Sequence, residues 1–137
     1  MSFEKTLSNY PVVKVPISRL RPSEEINAQR AETLAKIIAE DNRWTTPIFV
    51  EHRHCIIMDD HHRHSCAKSL GLSVVPCILL SYDDPNLQVT YWASSEPVVA
   101  DRIIEAGLSG NLMSFKTTRH RLNITVPGCA ISLDELR

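Results

Sequence analysis

The most constraining stretch of this 137-residue chain is Val74–Leu80, VVPCILL, which carries no charged or hydroxyl side chain. Successive side chains of a strand point to opposite faces, so a run this apolar predicts a strand covered on both. The flanking segments offer the cover. Ala28, Ala31, Leu34, Ala35 and Ile38 recur at helical spacing, which predicts an amphipathic helix over residues 27–40 packed on a sheet. Residues 12–17 read as a short strand in which Pro16 suits an edge or a strand end. Two further apolar runs, 47–50 and 55–58, flank a hairpin connection at 51–54 that lacks an Asn-Gly turn signal.

The second run stops at Asp59-Asp60. A short helix is expected from His61, packing through Cys66, Ala67 and Leu70, with Gly71 as its C′ residue. Residues 87–93 read as another strand. Ser95-Glu96-Pro97 resembles a helix start, with the helix running to about Gly107 through Val99, Ile103, Ile104 and Ala106. Beyond Gly110 the chain reads as irregular through 116–120, with a last strand at 123–126. The expected fold class is α/β, more exactly stated an α+β arrangement on a mixed sheet. It is expected as a single domain over residues 1–137 with its core at about 12–126.

Composition narrows the function classes. Hydrophobic residues make up 43% and charged ones 23%, the balance of an ordinary globular chain. The formal net charge is −1. DNA-binding domains draw most of their affinity from neutralising phosphates and carry a basic excess, so nucleic acid is not an expected partner. No apolar stretch approaches the ~20 residues needed to span a bilayer, and the first residues have no apolar targeting core. Cys55, Cys66, Cys77 and Cys129 lack C-x-x-C spacing, and those within apolar runs, Cys55 and Cys77, read as buried free thiols. The expected location is the reducing cytoplasm.

Four groups of residues are candidates for chemistry. At the strand–helix junction Asp59-Asp60-His61-His62-Arg63, a helix N-terminus offers unpaired N–H groups and partial positive charge. Such a place suits phosphate oxygens, with His61, His62 and Arg63 as further donors; the plain alternative is an aspartate cap with solvated histidines. Lys116-Thr117-Thr118-Arg119-His120 gathers cations, hydroxyls and an imidazole suited to a carboxylate or phosphate, or else forms a solvated polar loop. Glu24 and Glu25, before the first helix, are candidate general bases or acidic residues that simply favour the helix dipole. Finally, His52, His54, His61, His62 and His64 fall within thirteen residues. A metal site there is disfavoured, because ligands must converge and a hairpin turn points outward.

These residues resemble the ParB/sulfiredoxin-like superfamily, and within it the free-serine kinases. The similarity runs from VPISRLRPSEEINAQRAETL through IIMDDHHRHSCAKSLGL to GNLMSFKTTRH. It includes an acidic residue after an L-x-P segment, an Asp-Gly-His-His-Arg motif and a downstream Thr-Thr/Ser-Arg-His motif. The resemblance implies Glu24 as catalytic base with Glu25 as the alternative, and Asp59 beside them. It implies Asp60, His61, His62 and Arg63 around the phosphates of ATP or ADP, with Mg²⁺ bridging oxygens and Asp59 or Asp60 as candidate ligands to it. Trp92, Lys116, Thr117, Thr118, Arg119 and His120 would hold the substrate, free L-serine or a close hydroxy amino acid.

One position departs from the family: the motif glycine is Asp60 here. The catalytic cysteine of sulfiredoxins is replaced by His61, which speaks against that chemistry. The helix-turn-helix module of partition proteins is not expected in the few residues after His120. The competing expectation is a nucleotide- or metabolite-binding regulatory module without catalysis.

Overall fold

The computed structural model describes residues 10–137; the leading residues read above for a targeting core lie outside them. A mixed four-stranded sheet runs in the order β1-β5-β3-β4, from β1 (Val12–Pro16), β3 (Ile48–Glu51), β4 (Ile56–Ile57) and β5 (Val74–Leu80). β2 (Arg43–Trp44) lies before them and pairs with β8 (Ile131–Ser132), while β6 (Leu87–Tyr91) and β7 (Thr118–Leu122) form a separate ribbon. The helices are α1 (Ala28–Asp41), α2 (His61–Ser69), α3 (Ala100–Ser109) and α4 (Leu133–Leu136).

The apolar run is a central strand. β5 pairs antiparallel with β1 and parallel with β3, and the parallel pairing is reached through β4 and the crossover helix α2. Side chains alternate between two cores. Val75 and Cys77 join Ile48, Val50, Ile57, Cys66, Ala67 and Trp44 beneath the helices. Ile78 and Leu80 turn the other way to Met58 and Tyr10, under the β6–β7 ribbon. Strand β1, with Pro16 at its end, is an edge strand, where a missing N–H costs least.

Local signals explain the helix ends. The Asn27 side chain accepts the Arg30 N–H at 3.0 Å and caps α1. Gly71 follows α2 at φ +72, the left-handed conformation expected of a C′ glycine. At Gly107 a Cβ would stand 2.7 Å from Ile56 Cγ1, so only glycine lets α3 lie this close to β4.

Several expectations need correction. The helix expected from Ser95 begins at Ala100 and continues to Ser109. Residues 95–98 instead fold back along β6: Tyr91 N–H donates to the Glu96 carbonyl at 2.9 Å, and Pro97 bridges Thr90. Residues 118–120, expected to be irregular, are in β7, paired with β6. No strand forms at 123–126, where Ile124 and Val126 cover the second core from a loop. The core also extends past 126, because Leu133 and Leu136 of α4 are fully buried in the first cluster. Cys77 is buried and its thiol pushed up to about 12 by that burial, but Cys55 is half-buried in a turn at φ +56. All four cysteines are free. No helix among the described residues is long and apolar enough to cross a membrane.

Candidate functional site

The loop before α1, the N-terminus of α2 and the start of β7 meet at a cavity of about 190 Å³. Glu24, Glu25, Asp59, Asp60, His61, His62, Trp92, Lys116 and Thr118 line it. Sequence positions far apart thus converge on one place. A larger hollow of about 310 Å³ lies against α3, and of the expected site residues it takes only Thr117.

Glu24 is 6% exposed. Its Oε2 accepts two bonds from Thr118, the backbone N–H at 2.9 Å and the hydroxyl at 2.6 Å. Burial raises the carboxyl from its ordinary value, and the Thr118 donors oppose that rise. The loop is held at its backbone too. Glu25 N–H donates to the Met113 carbonyl at 2.7 Å, and Met113 N–H to the Ser23 carbonyl at 2.9 Å. Glu25 itself is exposed at the rim.

The two histidines opening α2 are engaged by that same loop. His61 Nε2 accepts the N–H of Ser23 at 3.0 Å and of Glu24 at 3.2 Å. His62 Nε2 accepts the Asn27 N–H at 2.9 Å. A ring nitrogen that accepts carries no proton, so in each neutral ring the proton is on Nδ1. For His61, burial first and then the neighbouring His64, His120 and His62 lower the pKa to about 3. His62 is lowered by burial, Arg30 and Lys116. Each ring's Nε2 thus fastens the loop that carries Glu24, and Nδ1–H is the donor that remains.

Asp60 sits at φ +66, the left-handed region where glycine is most at ease and aspartate among the better-tolerated alternatives. The backbone course expected of a glycine is thus kept, while the side chain lies 3.6 Å from Arg63 Nε. Asp59 opens to solvent on one side, yet crowding by the protein and the adjacent Asp60 carboxylate push its carboxyl up to about 7. Asp59 Oδ1 accepts the Asp60 N–H at 2.9 Å.

The second motif divides by strand alternation. Arg119 faces outward and stacks on Trp92 with its guanidinium 4.7 Å from the ring centroid; Lys116 Nζ approaches the same ring at 5.6 Å. Trp92 is 46% exposed, so it forms a wall of the site rather than core. Thr118 and His120 face inward. Thr118 is committed to Glu24, and the Thr117 hydroxyl donates to the Ser114 carbonyl. His120 is 5% exposed, with Nε2 2.9 Å from the Tyr82 hydroxyl. Burial lowers its pKa to about 4. Of the residues expected at the substrate, Thr117 lines the neighbouring hollow, Thr118 bonds to Glu24, and His120 is buried against Tyr82.

The histidine cluster disperses: His52 and His54 sit on the exposed hairpin turn, His54 leaning on Glu51, while His61, His62 and His64 are on α2. Among the described residues no group of three or more His, Cys, Asp or Glu is placed to hold a metal ion. Ser23, Asn27 and Tyr82 were not singled out in the sequence. The first two act through backbone N–H groups, which every residue type carries, so no motif marks them.

No family model matches the chain. It is 33% identical over 86 residues to a ParB-like protein of Sulfolobus acidocaldarius, across 63% of this chain and 43% of that protein. It is 31% identical over 84 residues to an ATP-dependent L-serine kinase of Staphylothermus marinus, across 58% of this chain and 33% of the other. The chain spans less than half the length of these curated relatives. Among solved structures, a free serine kinase in complex with AMP superposes with a TM-score of 0.82 at 13% identity, covering 92% of this chain and 93% of that one. The chain therefore has the mixed α/β fold of the free serine kinases. The relatives bear out the resemblance to the ParB/sulfiredoxin-like superfamily on its serine-kinase side.

Proposed function

We propose that this chain is a kinase that moves the terminal phosphoryl group of ATP or ADP onto the hydroxyl of free L-serine or a close hydroxy amino acid. The observation that carries this reading is a buried carboxylate, Glu24, held by Thr118 in the same cavity as the N-terminus of α2. The nucleotide-bound serine kinases of the same fold support it.

In this mechanism the phosphates rest over the first turn of α2, taking the free backbone N–H groups, the Nδ1–H donors of His61 and His62, and Arg63. Lys116 and Arg119, beside Trp92, take the carboxylate of the amino acid. Glu24 accepts the proton of the serine hydroxyl as its oxygen bonds to phosphorus and the bond to the leaving phosphate oxygen breaks. Glu25, at the rim, adds negative charge near the substrate ammonium. Positioning and charge neutralisation supply most of the acceleration. The neighbouring carboxylates of Asp59 and Asp60, both raised chiefly by burial, suit a Mg²⁺ ion that would neutralise phosphate oxygens. The free thiols suit a reducing cytoplasm.

Incubation with Mg²⁺, L-serine and ATP or ADP, followed by ³¹P NMR, tests the reading: O-phosphoserine is expected, and its absence with both donors despite nucleotide binding would favour a regulatory binding module. One feature favours that second reading, the pairing of Arg63 with Asp60 instead of an anion. Asp60→Gly examines it. Glycine is at ease at this φ, so unfolding free energy should change by less than about 1 kcal/mol. Nucleotide affinity measured in chelator should rise severalfold, since a like charge is gone and Arg63 is released. An unchanged affinity by calorimetry would mean that the phosphates do not approach Asp60.

A further inference from the structure

We infer that Thr118 is a positioning residue, whose hydroxyl and backbone N–H fasten Oε2 of Glu24 and leave Oε1 to take the substrate proton. The inference rests on the assignment of Glu24 as the base. Thr118 is 3% exposed, and its hydroxyl, 2.6 Å from Oε2, is spent on Glu24 rather than on substrate. Strand alternation explains why: Thr118 and His120 share the inner face of β7, while Arg119 turns to Trp92.

The backbone before Thr118 is shaped for the same purpose. Lys116 lies at φ +57, and the turn it makes brings the Thr118 N–H within 2.9 Å of Glu24 Oε2. The carboxylate it meets is ninety-four residues away in sequence. The opposite side is fixed by His61, which holds the Ser23 and Glu24 N–H groups. A carboxylate held in this way loses rotational freedom, and the Thr118 donors favour its ionised form against the effect of burial.

Other titratable groups face Glu24. Asp59 and Asp60, which precede α2, and Lys116, before β7, line the same cavity, and the Glu24 carboxylate helps raise Asp59. His61 and His64 on α2, and Tyr82 after β5, are held neutral by burial. None of these charges changes when the Thr118 hydroxyl is removed, which isolates its effect.

Wild type, Thr118→Val and Thr118→Ser are compared by the pH dependence of kcat/KM for phosphoserine formation. The ¹³C titration of the Glu24 carboxylate in the ligand-free protein, assigned with Glu24→Gln, is the second measurement. Valine keeps the shape and the backbone N–H but loses the donor. Glu24 should then titrate about one pH unit higher, and kcat/KM on the acidic limb should fall about tenfold. Serine, which keeps the donor, should restore both. The inference is overturned if valine moves neither the limb nor the titration, or if serine fails to restore them. Should the wild type make no phosphoserine while valine still shifts the Glu24 titration, the Thr118 contact stands and the kinase assignment alone falls.

Discussion

On the proposed function, Glu24→Gln is expected to lower the rate of phosphoserine formation by ~10²–10⁴-fold while nucleotide affinity stays within about twofold. Glutamine keeps the length and the acceptor oxygen, so Thr118 can still donate to it; what is lost is the capacity to accept a proton. Glu24 also reaches the cavity from the loop before α1, apart from the first turn of α2 proposed to take the phosphates. Turnover and calorimetric nucleotide binding, measured on the same preparation, separate the two effects. Equal losses in both would move Glu24 from proton transfer to nucleotide binding. An unchanged turnover in Glu24→Gln and Glu25→Gln alike would remove the base from the mechanism.

Acid should unfold the protein early, between about pH 4 and 5. His61, His64 and His120 are each no more than 6% exposed, and burial lowers them from 6.5 to about 3, about 4 and about 4. Below pH 6.5 the unfolded chain binds a proton on each ring that the folded protein refuses. More protons on the unfolded state means that stability falls as pH falls, until the folded rings titrate near 4 and below. One such ring costs about 1.4 kcal/mol per pH unit, so the three together remove about 6 kcal/mol by pH 5. That matches the lower end of the ~5–15 kcal/mol that holds a domain.

The raised carboxyls of Asp59 and Glu24 act with the opposite sign. They keep a proton in the folded state that the unfolded chain has already released, so their contribution is lost as pH rises toward the folded value, about 7 for Asp59. Asp59 has an open side where water supports its anion, and the Thr118 donors offset the burial of Glu24. The buried imidazoles therefore govern the slope. Denaturant titrations followed by circular dichroism between pH 7 and 4 give the answer, and a flat stability down to pH 4 would contradict it. His64→Leu should flatten the slope by about one proton, because it removes a buried ring whose Nε2 has no hydrogen-bond partner.

How much of this could be read in the sequence depended on whether the governing interaction was local. The phase of apolar residues in α1, the Gly71 stop after α2 and the two-faced run of β5 are properties of neighbouring residues, and their elements stand close to where the spacing put them. β7 was not legible, because its sequence TRHRL is polar and only Thr118 and His120 turn inward. Their partners, Glu24 and Tyr82, lie far away along the chain. The α3 start was misplaced because Pro97, a good opening residue for a helix, is taken instead by a bridge to Thr90. At the site, residue identities were legible but not which atoms were already engaged. Nothing in Asp-Asp-His-His-Arg reveals that Ser23, Glu24 and Asn27 backbone groups occupy the Nε2 atoms of both rings.

The surroundings of Trp92 also equip the molecule to report on itself. Trp44, 1% exposed and donating to the Thr46 carbonyl at 2.7 Å, emits as a sealed indole whatever enters the cavity. Trp92 is wet and flanked by Arg119 and Lys116, so an anion that draws either cation away alters its emission directly. One tryptophan is thus a dye at the mouth of the cavity, and the other an internal standard in the interior.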